Sequence, residues 1–185
     1  KIEQLFSAGD TPIKALIRIT PGVEAYTHEY ITTGEEDSKF GFTLSTGLAE
    51  KAIDIVKNST AIELMGIHAH IGSQVFTEES FRRSTEMLAE LANRFSLPEL
   101  CVGGGLGVPY LNDESSISIA EWGAIVQKVC EERGVTAEIT AEPGRSIVAS
   151  AAVTLYTIGT IKELEGIRTY VAVDGGMHDN PRPAL

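Results

Sequence analysis

The hydrophobic and polar positions of this chain follow two periods, one typical of strands and one typical of helices. Apolar runs, several of them rich in β-branched residues, predict strands at 14–23, 62–71, 99–102 and 135–142, with a shorter candidate at 39–44. Pro21 and Gly22 end the first run, as expected at the end of a strand. The polar, glycine-punctuated stretch 25–38 predicts a loop.

Three segments between these runs carry apolar residues every three or four positions, which predicts amphipathic helices over about 46–57, 78–95 and 119–133. Thr77 is a candidate N-cap of the second helix. Ser118 and Glu121 have the spacing of a capping box at the start of the third, and Gly134 suits its end. The predicted buried faces are Ala49, Ala52, Ile53 and Val56; Phe81, Leu88, Leu91, Ala92 and Phe95; and Trp122, Ile125, Val126 and Val129.

The alternation of strand and helix predicts an α/β fold with parallel strands. From about residue 147 the helical period disappears, and Ile147 to Ile161 and Arg168 to Val173 are predicted as strands. The sequence therefore predicts two regions, an α/β region at 1–147 and the start of a β-rich region at 148–185.

Charge narrows the range of partners. The 185 residues include 26 Asp and Glu against 15 Lys and Arg, a formal net charge of −11. Such an acidic surface argues against nucleic-acid or anionic membrane binding. The spacing of Cys101 and Cys130 fits neither a zinc pair nor a redox motif, so we expect two buried, reduced thiols. Reduced thiols in turn indicate a cytoplasmic protein.

Three polar or glycine-rich clusters follow three successive predicted strands. They are His68 to Gln74, Gly103 to Gly107, and Glu142 to Arg145. The steps from His70 to Gly103 and from Gly103 to Glu142 are 33 and 39 residues, each about one βα unit. All three clusters should therefore lie at the carboxyl edge of one parallel sheet, where α/β folds build their sites.

Each cluster has more than one interpretation. Gly103, Gly104 and Gly105 either cradle an anion such as phosphate or make a tight turn. His68 and His70, two apart on a strand, are a metal pair, a ring facing a flat ligand, or structural histidines. Ser73 offers a hydroxyl to an anion.

Carboxylate and guanidinium groups complete the candidate chemistry. Glu142 is suited to hold a protonated ring nitrogen, and Arg145 to pair with phosphate or carboxylate, unless the two form only a local ion pair. Arg182, between two prolines, presents a fixed cation to a substrate carboxylate or belongs to a solvent-exposed linker.

The motifs His-Ile-Gly-Ser-Gln, Gly-Gly-Gly-Leu-Gly, Glu-Pro-Gly-Arg and Asn-Pro-Arg-Pro-Ala-Leu occur here in this order. With them the chain closely resembles the diaminopimelate decarboxylases, in the alanine-racemase-like barrel class of pyridoxal-phosphate enzymes. Lys39 to Gly41 and Arg18 with Ile19 fit the resemblance too. It implies an α/β fold made of the C-terminal part of a (β/α)8 barrel that binds pyridoxal 5'-phosphate, followed by the start of a β domain.

The resemblance also implies a role for each motif. His70 would stack on the cofactor ring and Glu142 would bond its nitrogen, and we take these two as the catalytic residues. Ser73 and Gly103 to Gly105 would hold the phosphate, with Gly144 and Arg145 beside it. Arg145 and Arg182 would bind the carboxylates of an amino-acid substrate. The implied reaction is decarboxylation of meso-2,6-diaminopimelate to L-lysine by a homodimer, with no metal site.

The resemblance has gaps. The Schiff-base lysine of the family would precede residue 1, none of the seven lysines here stands in such a motif, and the catalytic Cys would follow Leu185. We therefore expect an internal fragment that is inactive, and poorly soluble or oligomeric, by itself. The alternatives are an ornithine- or arginine-type decarboxylase, a non-catalytic relative, and a metal-dependent barrel hydrolase that uses His68 and His70.

Overall fold

Strands and helices alternate in the computed structural model, which describes residues 1–7, 9–23, 38–110 and 114–179. The chain divides into two compact units, Lys1–Ala149 and Ser150–Leu185. The elements of the first unit are α1 (Ile2–Leu5), β1 (Ile13–Thr20), β2 (Phe42–Thr43), α2 (Leu48–Lys57), β3 (Ile62–Ala69), α3 (Glu78–Phe95), β4 (Glu99–Cys101), α4 (Ile119–Glu132), β5 (Glu138–Thr140) and α5 (Arg145–Val148).

The first unit is built on a parallel sheet. Within the described residues this sheet has five strands in the order β2-β1-β3-β4-β5, and every neighbouring pair is parallel. This confirms the α/β fold with parallel strands. The predicted strands are in place, although several are shorter than their apolar runs; the run at 39–44, for example, forms only Phe42–Thr43.

Strand register separates the sheet into two chemically different faces. Ile17, Ile67 and Leu100 are aligned across β1, β3 and β4, and all three are buried. Arg18, His68 and Cys101 are aligned one position further along the same strands. Because side chains alternate across a strand, these more polar residues share the opposite face.

Helices α2, α3 and α4 cover the apolar face with the residues that their periodicity predicts. Ile53, Leu88 and Trp122 are almost completely buried and belong to one core with the sheet residues. The Phe81 and Trp122 rings meet edge to face, with centroids 5.8 Å apart. Val56 and Phe95, at the helix ends, are partly buried. Burial of these faces is the main force holding the helices on the sheet.

The two predicted N-caps have different outcomes. The capping box of α4 is confirmed, since the Glu121 amide donates to Ser118 Oγ at 3.2 Å and the Ser118 amide donates to Glu121 Oε2 at 2.7 Å. The prediction for Thr77 is wrong in its chemistry. Thr77 occupies the N-cap position of α3, but its hydroxyl lies 2.6 Å from Ser80 Oγ and bonds no helix amide.

The region after residue 147 needs a correction as well. A strand was predicted from Ile147 to Ile161. In the structure, α5 makes a single helical turn there, and the next strand begins only at Ile158. The Ala149 amide donates to the Arg145 carbonyl at 2.9 Å, so the backbone turns where a strand was expected. In the second unit, β6 (Ile158–Leu164) and β7 (Arg168–Val173) pair as an antiparallel hairpin.

Both cysteines, Cys101 and Cys130, are buried free thiols. Burial raises the pKa of the Cys130 thiol. No helix in the described ranges is both long enough and apolar enough to cross a bilayer. Most of the loop predicted at 25–38 lies outside the described residues.

Candidate functional site

The three predicted clusters meet at the carboxyl edge of the parallel sheet. His70 follows β3, Gly103 follows β4 and Glu142 follows β5. The Glu142 amide donates to the Gly103 carbonyl at 2.7 Å, so the last two loops are joined directly. The spacing of one βα unit between clusters therefore predicted their convergence correctly.

The glycine loop after β4 is wedged between its neighbours. A Cβ atom at Gly103 would overlap the Ala69 carbonyl oxygen, and one at Gly104 would overlap that of Glu142. Gly105 has φ +102°, and a Cβ there would overlap the Gly72 carbonyl oxygen. Only glycine lets three backbones come this close.

The loop after β3 is bonded to the glycine loop side by side. The Val75 amide donates to the Gly105 carbonyl at 2.9 Å. The side-chain amide of Gln74 bonds the backbone of Val108 in both directions, at 2.9 and 3.1 Å. These bonds fix the position of Ser73 relative to the glycines.

Arg145 lies beside Ser73. Its Nη2 donates to Ser73 Oγ at 3.2 Å, and its Nη1 donates to the Tyr110 hydroxyl at 2.8 Å. Arg145 Nε is buried and has no hydrogen-bond partner in the described part of the chain. Because Ser73 accepts from the guanidinium, its own proton remains to be donated to an anion.

Tyr110 was missed by sequence reasoning. It follows the glycine cluster by a few residues, but a half-exposed tyrosine after a proline carries no signal of its own. Its ring centroid lies 5.8 Å from Arg145 Cζ, within the range of a cation–π contact.

Glu142 contacts His68, a partner that sequence reasoning did not predict for it. His68 Nε2 lies 2.9 Å from Glu142 Oε2. The His68 side chain is 16% exposed and that of Glu142 58%. Sequence reasoning considered His68 as a metal ligand, as a ring facing a flat ligand or as a structural residue, and none of these roles involved Glu142. Its place on the polar face of β3 was the available signal.

His70 lies next to the glycine loop, since a Cβ atom at Gly105 would be 3.6 Å from His70 Cε1. Burial lowers the pKa of His70, the electrostatic effects of Arg18 and of His68 act in the same direction, and that of Glu142 opposes them. A lowered pKa favours a neutral imidazole at pH 7, which can face an aromatic ring without burying a charge.

The metal hypothesis pairs His68 with His70, and the structure gathers a different set. Ligand atoms of His68, Cys101 and Glu142 lie within 4.8 Å of one another. The hydrogen bond between His68 and Glu142 accounts for the proximity of these two side chains, and the pairing of β3 with β4 places Cys101 beside His68.

Two predicted residues remain. Gly144 is the N-cap of α5, directly before Arg145. Arg182 lies outside the described residues.

The donor set of this edge suits a phosphorylated, nitrogen-containing ring. A guanidinium with an unpartnered Nε and a serine hydroxyl are suited to phosphate, and a carboxylate is suited to a protonated ring nitrogen. A model of the family described as "Pyridoxal-dependent decarboxylase, pyridoxal binding domain" matches residues 1–149. The chain belongs to this family. The family's cofactor is pyridoxal 5'-phosphate, and the barrel fold follows from the same match.

Curated relatives carry a more specific name. The diaminopimelate decarboxylase of Bacillus subtilis is 46% identical over 198 residues, which is all of this chain and 44% of the relative. That of Bacillus methanolicus is 44% identical, over all of this chain and 45% of the relative. The chain therefore spans less than half the length of these relatives.

Solved structures that resemble this chain are also diaminopimelate decarboxylases. Diaminopimelate decarboxylase from Helicobacter pylori, complexed with L-lysine, matches with a TM-score of 0.81 and 32% identity, over 94% of this chain and 43% of that one. The enzyme from M. jannaschii in co-complex with L-lysine matches with a TM-score of 0.79 and 30% identity, over 94% and 42%.

Proposed function

We propose that this chain is the cofactor-binding part of a longer polypeptide, here called the full-length polypeptide, that decarboxylates meso-2,6-diaminopimelate to L-lysine. The observation that carries the proposal is the convergence of Ser73 and Arg145 with the glycine loop at the edge where Glu142 and His70 also lie. The diaminopimelate decarboxylases among its relatives supply the substrate.

Phosphate binding falls to the loops after β3, β4 and β5. Arg145 and Ser73 are already hydrogen-bonded to each other, which fixes both donors before any ligand arrives. Gly103, Gly104 and Gly105 keep side chains out of the loop, and Gly144 gives the backbone its turn before Arg145.

His70 and Glu142 hold the pyridine ring. Neutral His70 provides a flat face for stacking, and the Glu142 carboxylate bonds the ring nitrogen and keeps it protonated. Bound pyridoxal phosphate supplies an electron sink for the electrons that carbon dioxide leaves behind. The protein provides the orientation and the charge that maintain this property.

Two arginines suit a substrate that carries a carboxylate at each end. Arg182 binds the distal carboxylate, and Arg145 also reaches a substrate carboxylate. The L-lysine found in two of the related enzymes is the expected product.

The same proposal covers the wider organisation. Residues 1–147 form part of the (β/α)8 barrel, and 148–185 begin a C-terminal β domain. The full-length polypeptide is a cytoplasmic homodimer and takes its Schiff-base lysine from a strand outside this chain. Residues 1–185 have no decarboxylase activity by themselves.

The test is a substrate comparison with the purified full-length polypeptide and added pyridoxal phosphate. Release of carbon dioxide is measured with meso-diaminopimelate, ornithine, arginine and lysine. We expect that, of these four compounds, diaminopimelate is turned over and the other three are not, and that the product is L-lysine. Turnover of ornithine or arginine instead would assign the chain to those decarboxylases, and cofactor binding without turnover would identify a non-catalytic relative.

A metal-dependent hydrolase is tested in the same preparation. If the dialysed polypeptide retains stoichiometric zinc and binds no pyridoxal phosphate, the hydrolase would be favoured and the decarboxylase proposal would be wrong. Arg145→Met provides the site control, and we expect it to weaken cofactor binding through loss of the phosphate-facing guanidinium.

A further inference from the structure

The contact between His68 and Glu142 joins β3 to the loop that follows β5, and these two strands are not neighbours in the sheet. His68 on β3 is aligned with Cys101 on β4, which is aligned in turn with Thr140 on β5. Glu142 stands two residues beyond Thr140, in the loop after β5, and its contact with His68 places its side chain on the same side of the sheet. His68 therefore reaches across the intervening strand β4 to a carboxylate in the loop after β5.

The chemistry of the pair fixes the direction of the hydrogen bond. An ionised carboxylate only accepts, so His68 Nε2 carries the hydrogen and donates to Glu142 Oε2 at 2.9 Å. No bond within the described residues engages the other oxygen, Oε1. The arrangement holds one oxygen and leaves the second for a ligand.

Burial explains why this contact orients the carboxylate. The Glu142 side chain is largely exposed and would otherwise sample several rotamers, whereas His68 is held on a strand and largely buried. A fixed donor bonded to a mobile acceptor restricts the acceptor.

We propose that His68 is a positioning residue, which holds Glu142 through Oε2 so that Oε1 faces the ring nitrogen of the cofactor. This inference rests on the proposed function for the identity of the ligand. The hydrogen bond itself belongs to the protein without its cofactor.

The variants are matched in shape. His68→Gln places an amide nitrogen at the reach of Nε2 and keeps a donor, whereas His68→Met has a similar volume and no donor. Both are made in the full-length polypeptide, alone and with Glu142→Ala, which removes the acceptor. Pyridoxal phosphate affinity is measured by titration, and ring-nitrogen protonation by NMR of the ¹⁵N-labelled cofactor.

We expect His68→Met to weaken pyridoxal phosphate binding about tenfold, as for loss of a hydrogen bond to a charged group, and to shift the ring-nitrogen resonance. His68→Gln should restore both. In the Glu142→Ala background, which has no side-chain acceptor at 142, the further loss caused by His68→Met should vanish, because His68 acts through Glu142. A full tenfold loss in both backgrounds, or no loss in either, would overturn the inference and leave the proposed function standing.

A wild-type polypeptide that binds no pyridoxal phosphate would contradict the proposed function without deciding the role of His68. His68 is then judged by its own ring in the protein without cofactor, labelled with ¹⁵N-histidine and assigned through His68→Gln. The inference predicts an Nε2 hydrogen whose proton resonance moves upfield in Glu142→Gln. A resonance that stays in place refutes it.

Discussion

His70 lies where a positive charge is unfavourable. Burial lowers its pKa, with Arg18 and His68 adding to the effect. The unfolded state, with a pKa of about 6.5, then binds the proton more tightly than the folded state. Folding stability should therefore decrease as the pH falls below about 6.5 toward the lowered value, because protonation favours the unfolded chain.

This effect is measured by urea unfolding of the cofactor-free full-length polypeptide at pH 7.5 and pH 5.5. Wild type should lose more stability between these two values than His70→Gln, which has no imidazole to titrate. Equal losses in the two proteins would show that His70 does not contribute.

Replacement by alanine is expected to change the stability in opposite directions at two glycines, one in the sheet and one in a helix. A Cβ atom at Gly66 on β3 would overlap the Glu99 carbonyl oxygen of β4, whereas one at Gly123 within α4 meets no atom within 4 Å. Gly66→Ala should cost about 1–3 kcal/mol through forced strand displacement. Gly123→Ala should add about 0.5–1 kcal/mol through better helix propensity.

Both values come from urea unfolding of the full-length polypeptide, and each variant serves as the control for the other. A Gly66→Ala protein as stable as wild type would contradict the close strand approach.

At this scale the sequence predicted residue types better than contacts. Ser73, Glu142 and the glycines stood out because such residues at strand ends indicate anion and ring-nitrogen binding. The bonds from His68 to Glu142 and from Arg145 to Tyr110 join residues 74 and 35 positions apart. Which long-range partners meet depends on strand register, which periodicity does not give.

Among the elements, α4 begins with a bond pattern that its sequence specifies. Ser118→Ala removes the side-chain acceptor of the Glu121 amide and should cost about 1 kcal/mol of unfolding free energy. Ser116→Ala, two residues earlier and outside the helix, is the matched control and should be neutral. A Ser118→Ala protein that unfolds with the control would show that the cap contributes nothing.

Helices and central strands were predictable from periodicity because their apolar faces must be buried. The segment after Glu142 was not, since Ile147 and Val148 favour a strand locally while the turn before Arg145 starts a helical turn instead. The Thr77 side chain makes no cap bond, and its hydroxyl instead lies 2.6 Å from the Ser80 hydroxyl, a contact that the helical period does not predict.

On the scale of the whole molecule, the described residues expose apolar side chains and leave one strand edge of the sheet without a described partner strand. Strand β5 pairs only with β4 within the described sheet, and Ile139 on it is 40% exposed. In the second unit Leu155 and Ile167 are largely exposed. Such surfaces favour association.

Residues 1–185 produced alone should therefore sediment as oligomers or aggregates. The double variant Leu155→Lys with Ile167→Lys should increase the soluble fraction, because it places charge on the exposed apolar surface. A monodisperse monomer that unfolds cooperatively would contradict this expectation. Sedimentation velocity distinguishes the two outcomes.

The central claim is geometric, and a crystal structure of the full-length polypeptide loaded with pyridoxal phosphate tests it most directly. We predict phosphate density bonded to Ser73, Arg145 and the Gly103–Gly105 loop, the ring against His70, and Glu142 at the ring nitrogen. Cofactor density at another edge of the barrel, or a ring nitrogen facing away from Glu142, would contradict the account.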